Sequence, residues 1–162
     1  MRLVALRSIF TIEHGNKLDL NKMNKCAAGD GAVAFIGRSG ERNGLVAFVE
    51  RLEIVKPYET GLISVALGGS ALSSFVQPRP FYTAQNIDVL KPLAEMSLDA
   101  KLYYCLCIEA NRFRYSTFGR EANITLSKLP VPALECIPAW INGAVEVAVH
   151  EFCEDLQSLV RI

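Results

Sequence analysis

Arginines and side-chain amides set beside glycines are the residues whose chemistry stands out in this chain. Gly37, Arg38, Ser39, Gly40, Glu41, Arg42, Asn43 and Gly44 follow one another, so two guanidinium groups and an amide share one flexible turn. Arginine can read guanine bidentately in the major groove, and Asn or Gln can do the same for adenine. Hydroxyls such as those of Ser39 and Ser70 can hold phosphates. A second cluster is Gln77, Pro78 and Arg79, stiffened by Pro78 and Pro80. A third, Asn111 to Tyr115, alternates Arg112 and Arg114 with aromatics and runs on to Arg120 and Asn123. Exposed arginines near turns are common on any surface, so each cluster alone says little. Three of them in one small chain raise the odds of a duplex DNA ligand.

Enzymatic chemistry is harder to assemble. Gly68, Gly69 and Ser70 lack the lysine of a phosphate-binding loop and read as a tight turn between strands. Cys105 and Cys107 have the wrong spacing for a common zinc pair and lie in an apolar segment, which fits inert buried thiols. A nucleophilic cysteine needs a histidine base, and His14 and His150, the two histidines present, have no local signature beside them. Asp99, Ala100 and Lys101, with Asp88 upstream, superficially offer carboxylates for Mg²⁺ and a lysine for a phosphate. An acid at a helix start needs no catalytic explanation, however. The expectation is a non-enzyme with no cofactor and no metal.

The elements that must position these side chains change character midway. In the first half, short apolar runs at Ala32 to Ile36, Leu45 to Val49, Leu62 to Leu67 and Leu72 to Gln77 are separated by glycine-containing breaks, and Asn86 to Leu90 is a further candidate. This predicts a twisted, mostly antiparallel sheet. Phe81, Tyr82 and Thr83 are expected to seat the chain in its core, while Gly15, Gly44 and Gly69 serve backbone conformation. In the second half Ser97 caps a helix with Leu98, Leu102, Cys105, Leu106 and Phe113 on one side and Tyr103, Tyr104, Cys107 and Ile108 on the other. A helix apolar nearly all round should be largely buried. Asn123 to Leu129 reads as one more strand, stopped by Pro130 and Pro132. After Asn142 an amphipathic helix carries Val145, Val149, Phe152, Leu156 and Leu159 in one stripe, with Glu146, Glu151, Glu154 and Asp155 opposite. The class is α+β in a single domain. The expected division is residues 1–134 as the recognition unit and 135–162 as a C-terminal amphipathic, spacer-like segment.

Composition agrees with a folded cytoplasmic protein. The 162 residues are 51% hydrophobic and 21% charged, enough for one core without metals or disulfides. Five irregularly spaced cysteines argue against a disulfide framework. No signal-peptide pattern and no membrane span are present. The 17 basic and 17 acidic residues cancel, yet five acids and one arginine fall after residue 134. The first 134 residues therefore carry 16 basic and 12 acidic groups, a net +4, which permits nucleic-acid binding without requiring it.

The same segments, taken in order, carry a resemblance. Phe10 to Gly15, Val33 to Ser39, Arg42 to Gly44, Gly61 to Gly69, Ser74 to Gln77, Phe81 to Leu90, Phe118 to Arg120, Asn123 and Leu126 to Pro130 resemble a target recognition domain of type I restriction-modification specificity (S) subunits. The likeness is closest to the variety that also serves type II enzymes coupling methylation to cleavage. It implies a non-catalytic double-stranded DNA-binding domain that recognises half of a bipartite target, followed by a spacer helix that docks on methyltransferase or restriction subunits. Here there is one such unit and a short C-terminal helix. The expectation is a half-subunit that forms a homodimer through that helix, a detached fragment, or a relative with a new role. The resemblance and the side-chain chemistry together nominate Arg38, Arg42, Asn43, Gln77, Arg79, Arg112, Arg114 and Arg120 for DNA contact, with Ser39 and Ser70 on phosphates. For Arg120 and Asn123, a hydrogen-bond network that stabilises a turn is an equal alternative. Loss of DNA binding with the fold kept as a protein-interaction module is the competing reading of the whole chain.

Overall fold

The alternating apolar runs of the first half become the strands of a two-sheet sandwich. The computed structural model describes residues 1–115 and 125–160. Among them the strands are β1 (Leu3–Ala5), β2 (Phe10–His14), β3 (Lys25–Cys26), β4 (Val33–Ile36), β5 (Leu45–Val49), β6 (Ile63–Ala66), β7 (Ser74–Val76), β8 (Phe81–Thr83), β9 (Ile87–Pro92) and β10 (Pro130–Pro132). The helices are α1 (Leu98–Glu109) and α2 (Ala144–Val160). One sheet has the order β2-β9-β6-β7, the other β3-β5-β4-β8, and β1 pairs with β10. Every pairing is antiparallel except β4 with β8.

Period-two alternation sorts the side chains into layers. Ala34 and Ile36 of β4 point between the sheets, where they meet Phe81, Ile87 and Val89. Val33 and Phe35 point the other way, onto Val49 and Tyr82, under a cover that includes Leu18, Leu52 and Val55. Ile63, Val65 and Leu90 face α1, packing on Tyr104, Cys105 and Ile108 in the largest core. Phe81, Tyr82 and Thr83 are all fully buried, as their expected seating role requires.

The Ser97 hydroxyl caps α1 by accepting from the Ala100 N–H at 3.2 Å, which satisfies one of the free donors of the first turn. Burial is confined to one face. Ala100, Tyr104, Cys105 and Ile108 are buried, while Leu98, Leu102 and Leu106 stay exposed. The helix ends before Phe113, which falls in the 3-10 turn Arg112–Tyr115. Burial pushes the Cys105 thiol up to about 12 and raises Cys107 as well, consistent with inert structural thiols. Cys153 is exposed. A thiol reagent should therefore label Cys153 in the native protein and reach Cys105 only on unfolding, as peptide mapping of the labelled protein would show.

Three expectations are corrected here. α1 is buried on one face only and not nearly all round. Leu126–Lys128 is a 3-10 turn, not the end of a strand, and Asn123 lies outside the described residues. Pro130, read as a strand stop, opens β10 instead. A two-stranded edge pair with β1 tolerates prolines that lack an N–H, and the Leu6 and Ala133 amides bond Leu129 and Arg2 at its two ends.

Asp99 answers a question the sequence left open. Its carboxylate accepts from the Gly143 N–H at 2.8 Å and the Val145 N–H at 3.1 Å. It thus caps α2 from another helix, where an anion meets the free amides and the positive end of the dipole. Asp99→Ala should cost about 1 kcal/mol, the usual worth of a cap, seen as a lower denaturation midpoint. An unchanged midpoint would mean the latch carries no weight. Among the described residues, no helix is long and apolar enough to cross a membrane.

Candidate nucleic-acid interface

The turn from β4 to β5 folds back over the β6–β7 connection, and this contact gathers the polar clusters. The Ser70 N–H donates to the Arg38 carbonyl at 3.2 Å. The Ser39 hydroxyl accepts from the Glu41 N–H at 3.1 Å and shapes the turn. Arg42, Asn43 and Gly44 then run in succession through the left-handed region, with φ of 52°, 54° and 73°. Only glycine adopts that conformation freely; for the other two it stores strain.

What holds the strained turn is Gln77. Its side-chain amide donates to the Asn43 carbonyl at 2.9 Å and to the Ser64 hydroxyl at 2.8 Å. At 2% exposure Gln77 cannot reach a base, so its nomination as a DNA contact is corrected to a positioning role. Arg79 lies with Arg42 and Asn43 around one narrow cleft, its guanidinium 5.7 Å from the Phe48 ring centroid.

Arg112 joins from the end of α1. Its Nε donates to the Ala71 carbonyl at 3.1 Å and its Nη2 to the Ser73 hydroxyl at 2.9 Å. Glu109 accepts from the Ser74 N–H at 3.1 Å and lies 3.7 Å from Arg112. Arg112 is thus partly spent on bracing the turn beneath Ser70. Arg114 stacks on Phe113 with 5.4 Å to the ring centroid. Arg120 lies outside the described residues. The outcome is two groupings joined by the β4–β5 turn: Arg38 and Ser39 beside Ser70, and Arg42 and Asn43 with Arg79 around the cleft, braced by Gln77 and Arg112.

The acids considered for metal chemistry are engaged elsewhere. Asp99 caps α2, and Asp88 bonds His14 at 2.7 Å. Lys101 lies against Gly61. Among the described residues no group of three or more His, Cys, Asp or Glu side chains could hold a metal ion.

The type I restriction modification DNA specificity domain model matches residues 1–135. The chain belongs to that family. No curated protein matches it. Among solved structures, this specificity domain is similar to the S subunit of a type I restriction-modification system from M. genitalium, at 15% identity and a TM-score of 0.61. That match covers 99% of this chain and 43% of the other. A chain from a study of complex assembly and conformational transition of the type I R-M system matches at 18% identity and TM-score 0.60, with 99% and 40% covered. The HsdS subunit from Thermoanaerobacter tengcongensis matches at 16% and 0.57, with 99% and 39% covered. The specificity domain therefore spans less than half the length of each of these chains, and at such identities the likeness concerns the fold.

One polar pairing has no signal in the sequence. His14 and Asp88 are 74 residues apart and carry no shared motif; only the register of β2 on β9, which sets them opposite each other, could have signalled it.

Proposed function

We propose that this specificity domain reads the base sequence of double-stranded DNA, without catalysis and without a cofactor. The observation that supports it most is the β4–β5 turn, which sets Arg38 and Ser39 beside Ser70 and brings Arg42 and Asn43 around one cleft with Arg79, in a domain whose family is defined by DNA specificity. Residues 1–134 act as the recognition unit and 135–162 as a spacer-like segment. Its partners are a methyltransferase or restriction subunit, and its setting is the cytoplasm. Arg38 and Arg42 are the base readers, with Ser39 and Ser70 on phosphates. Arg114 and Arg120 follow α1 as further contacts on the same duplex.

The test is selection from a randomised duplex library at low and at near-physiological salt. An enriched motif that survives the higher salt supports base readout. Binding confined to low salt without a motif reduces the contact to charge attraction, and no binding at either salt opposes the reading. Arg38→Ala and Arg42→Ala should each weaken the selected duplex roughly 5- to 100-fold, the worth of a bidentate base contact of about 1–3 kcal/mol, with unchanged melting. Parent-like affinity in both variants would remove that loop from the interface.

A second reading concerns α2, and one observation favours it. Val149, Phe152 and Leu156 are 57%, 62% and 45% exposed, a stripe that α2 does not bury on its own domain. The same stripe on a second copy is self-complementary in a two-fold pair, with the acids turned outward. A homodimer through α2 follows, and light scattering after size exclusion decides it: a strict monomer at high concentration removes it.

A further inference from the structure

A second polar cleft lies on the edge that carries the arginine loop. It has a volume of about 230 Å³ and is lined by His14, Lys17, Leu67, Asn86, Ile87 and Asp88. At its base the Asp88 carboxylate is almost wholly buried and bonds His14 Nδ1 at 2.7 Å, while the imidazole is 66% exposed. Burial raises the Asp88 pKa; the His14 hydrogen bond and the charges of His14 and Lys17 partly offset it. A buried carboxylate is costly unless partnered, so its place beneath a surface histidine fixes that ring's orientation. With Nδ1 committed to Asp88, Nε2 is the ring nitrogen left for a ligand.

The loop bearing Lys17 is fastened unusually well for a surface turn. The Gly15 N–H donates to the Ile87 carbonyl at 2.9 Å and the Leu18 N–H to the Thr83 carbonyl at 3.0 Å. Between them Asn16 clasps Thr83, its N–H donating to Thr83 Oγ1 at 2.8 Å and its Oδ1 accepting from the Thr83 N–H at 3.2 Å. A Cβ on Gly15 would stand 2.0 Å from Thr83 Oγ1, so no other residue fits. Lys17 and Asn86 both sit in the left-handed region at φ 58°. With Arg42 and Asn43 they make four of the five non-glycine residues so placed among the described residues, and such strain concentrates at functional surfaces.

Topology joins this cleft to the arginine loop. The ends of β2, β6, β8 and β4 open on one edge, and the contacts run across it: Leu67 N–H to Asn86 carbonyl at 2.9 Å, then Ser70 N–H to Arg38 carbonyl. The charged groups facing His14 are Asp88 on β9 and Lys17 on its own loop. Glu13 precedes it on β2, and the Tyr58 hydroxyl donates to its carbonyl at 3.2 Å. We propose that His14 and Lys17 form a second DNA contact, to the phosphodiester backbone beside the bases read by the arginine loop, with Asp88 as the positioning residue. A doubly protonated imidazole donates from both nitrogens, Nδ1 to Asp88 and Nε2 to a phosphate oxygen, while Lys17 adds a mobile cation to the same phosphate run. The inference rests on the reading of the domain as a duplex binder.

The experiment uses the full chain with the duplex recovered by selection and with a mixed-sequence duplex, titrated across a salt series. Lys17→Ala should weaken binding about 3- to 10-fold on both duplexes and lower the salt slope by about one, as loss of one phosphate contact does. His14→Gln should weaken it similarly on both duplexes. Asp88→Asn should weaken binding as His14→Gln does, and the double variant should lose no more than either alone, because Asp88 acts through the ring it holds. Because Asp88→Asn touches a buried site, the two surface variants carry the decision, each checked for unchanged melting. Base preference should survive in all three. Parent-like affinity and salt slope in both surface variants, with Arg38→Ala still impaired, overturns this contact alone. A parent that binds neither duplex overturns the duplex reading and this contact together.

Discussion

Gln77→Leu should abolish measurable duplex binding and destabilise the domain by about 2–3 kcal/mol, the cost of leaving buried hydrogen-bonding groups unmatched. For a chain of this size that is a fall of roughly 5–10 °C in melting temperature. The substitution keeps the volume and removes both amide donors, so the Asn43 carbonyl and the Ser64 hydroxyl lose their shared partner. The three consecutive left-handed residues at 42–44 are then held only by their own backbone bonds, and the strain stored there relaxes. Binding should fall further than stability does, because the turn loses its shape while the sandwich stays folded below its new midpoint. Thermal melts and fluorescence anisotropy on the same samples test both halves. If Gln77→Leu melts and binds like the parent, the turn is held by something other than this amide.

Tyr104→Ala should have the larger effect on stability, about 4 kcal/mol, in the range for deleting a fully buried aromatic ring. Tyr104 has no exposed surface, meets Phe10 edge-on with ring centroids 5.4 Å apart, and donates its hydroxyl to the Pro132 carbonyl at 2.9 Å. One side chain thereby joins α1, the first sheet and β10. Burial pushes its pKa up to about 12, so the hydroxyl stays a donor at any ordinary pH. Tyr104→Phe deletes only that donor and should cost about 1 kcal/mol, one hydrogen bond's net worth, with DNA binding intact. Denaturant titration of the pair separates ring from hydroxyl; equal losses would mean that the hydroxyl, not the ring, is the joint.

How far such roles could be read beforehand depended on whether their cause was local. β5 was legible to the residue because Leu45 to Val49 is wholly apolar and rich in β-branched or aromatic residues, between a glycine and a charge. The start of α1 was legible because Ser97 caps its own helix three residues on. β2 was not, since Thr11, Glu13 and His14 give an edge strand a polar look that only pairing with β9 explains. The arginine turn announced itself through residue types beside glycines. Gln77 looked like its neighbours because an amide that braces and an amide that reads have the same sequence; its partners stand 34 and 13 positions away. Asp99 was correctly placed at a helix start, yet the helix it caps is α2.

That last arrangement has a mechanical consequence. α2 has 17 residues, a rod of about 25 Å at 1.5 Å per residue, and its root is hinged on two hydrogen bonds to a single carboxylate. A rod of that length is a lever: a tilt of roughly 10° at the root swings the tip by about 4 Å, close to the 3.4 Å step between base pairs. Anything carried on the far end would therefore be positioned by Asp99, at the root of the rod. Substitutions at that carboxylate would move the far end of α2 while leaving the two-sheet sandwich itself untouched.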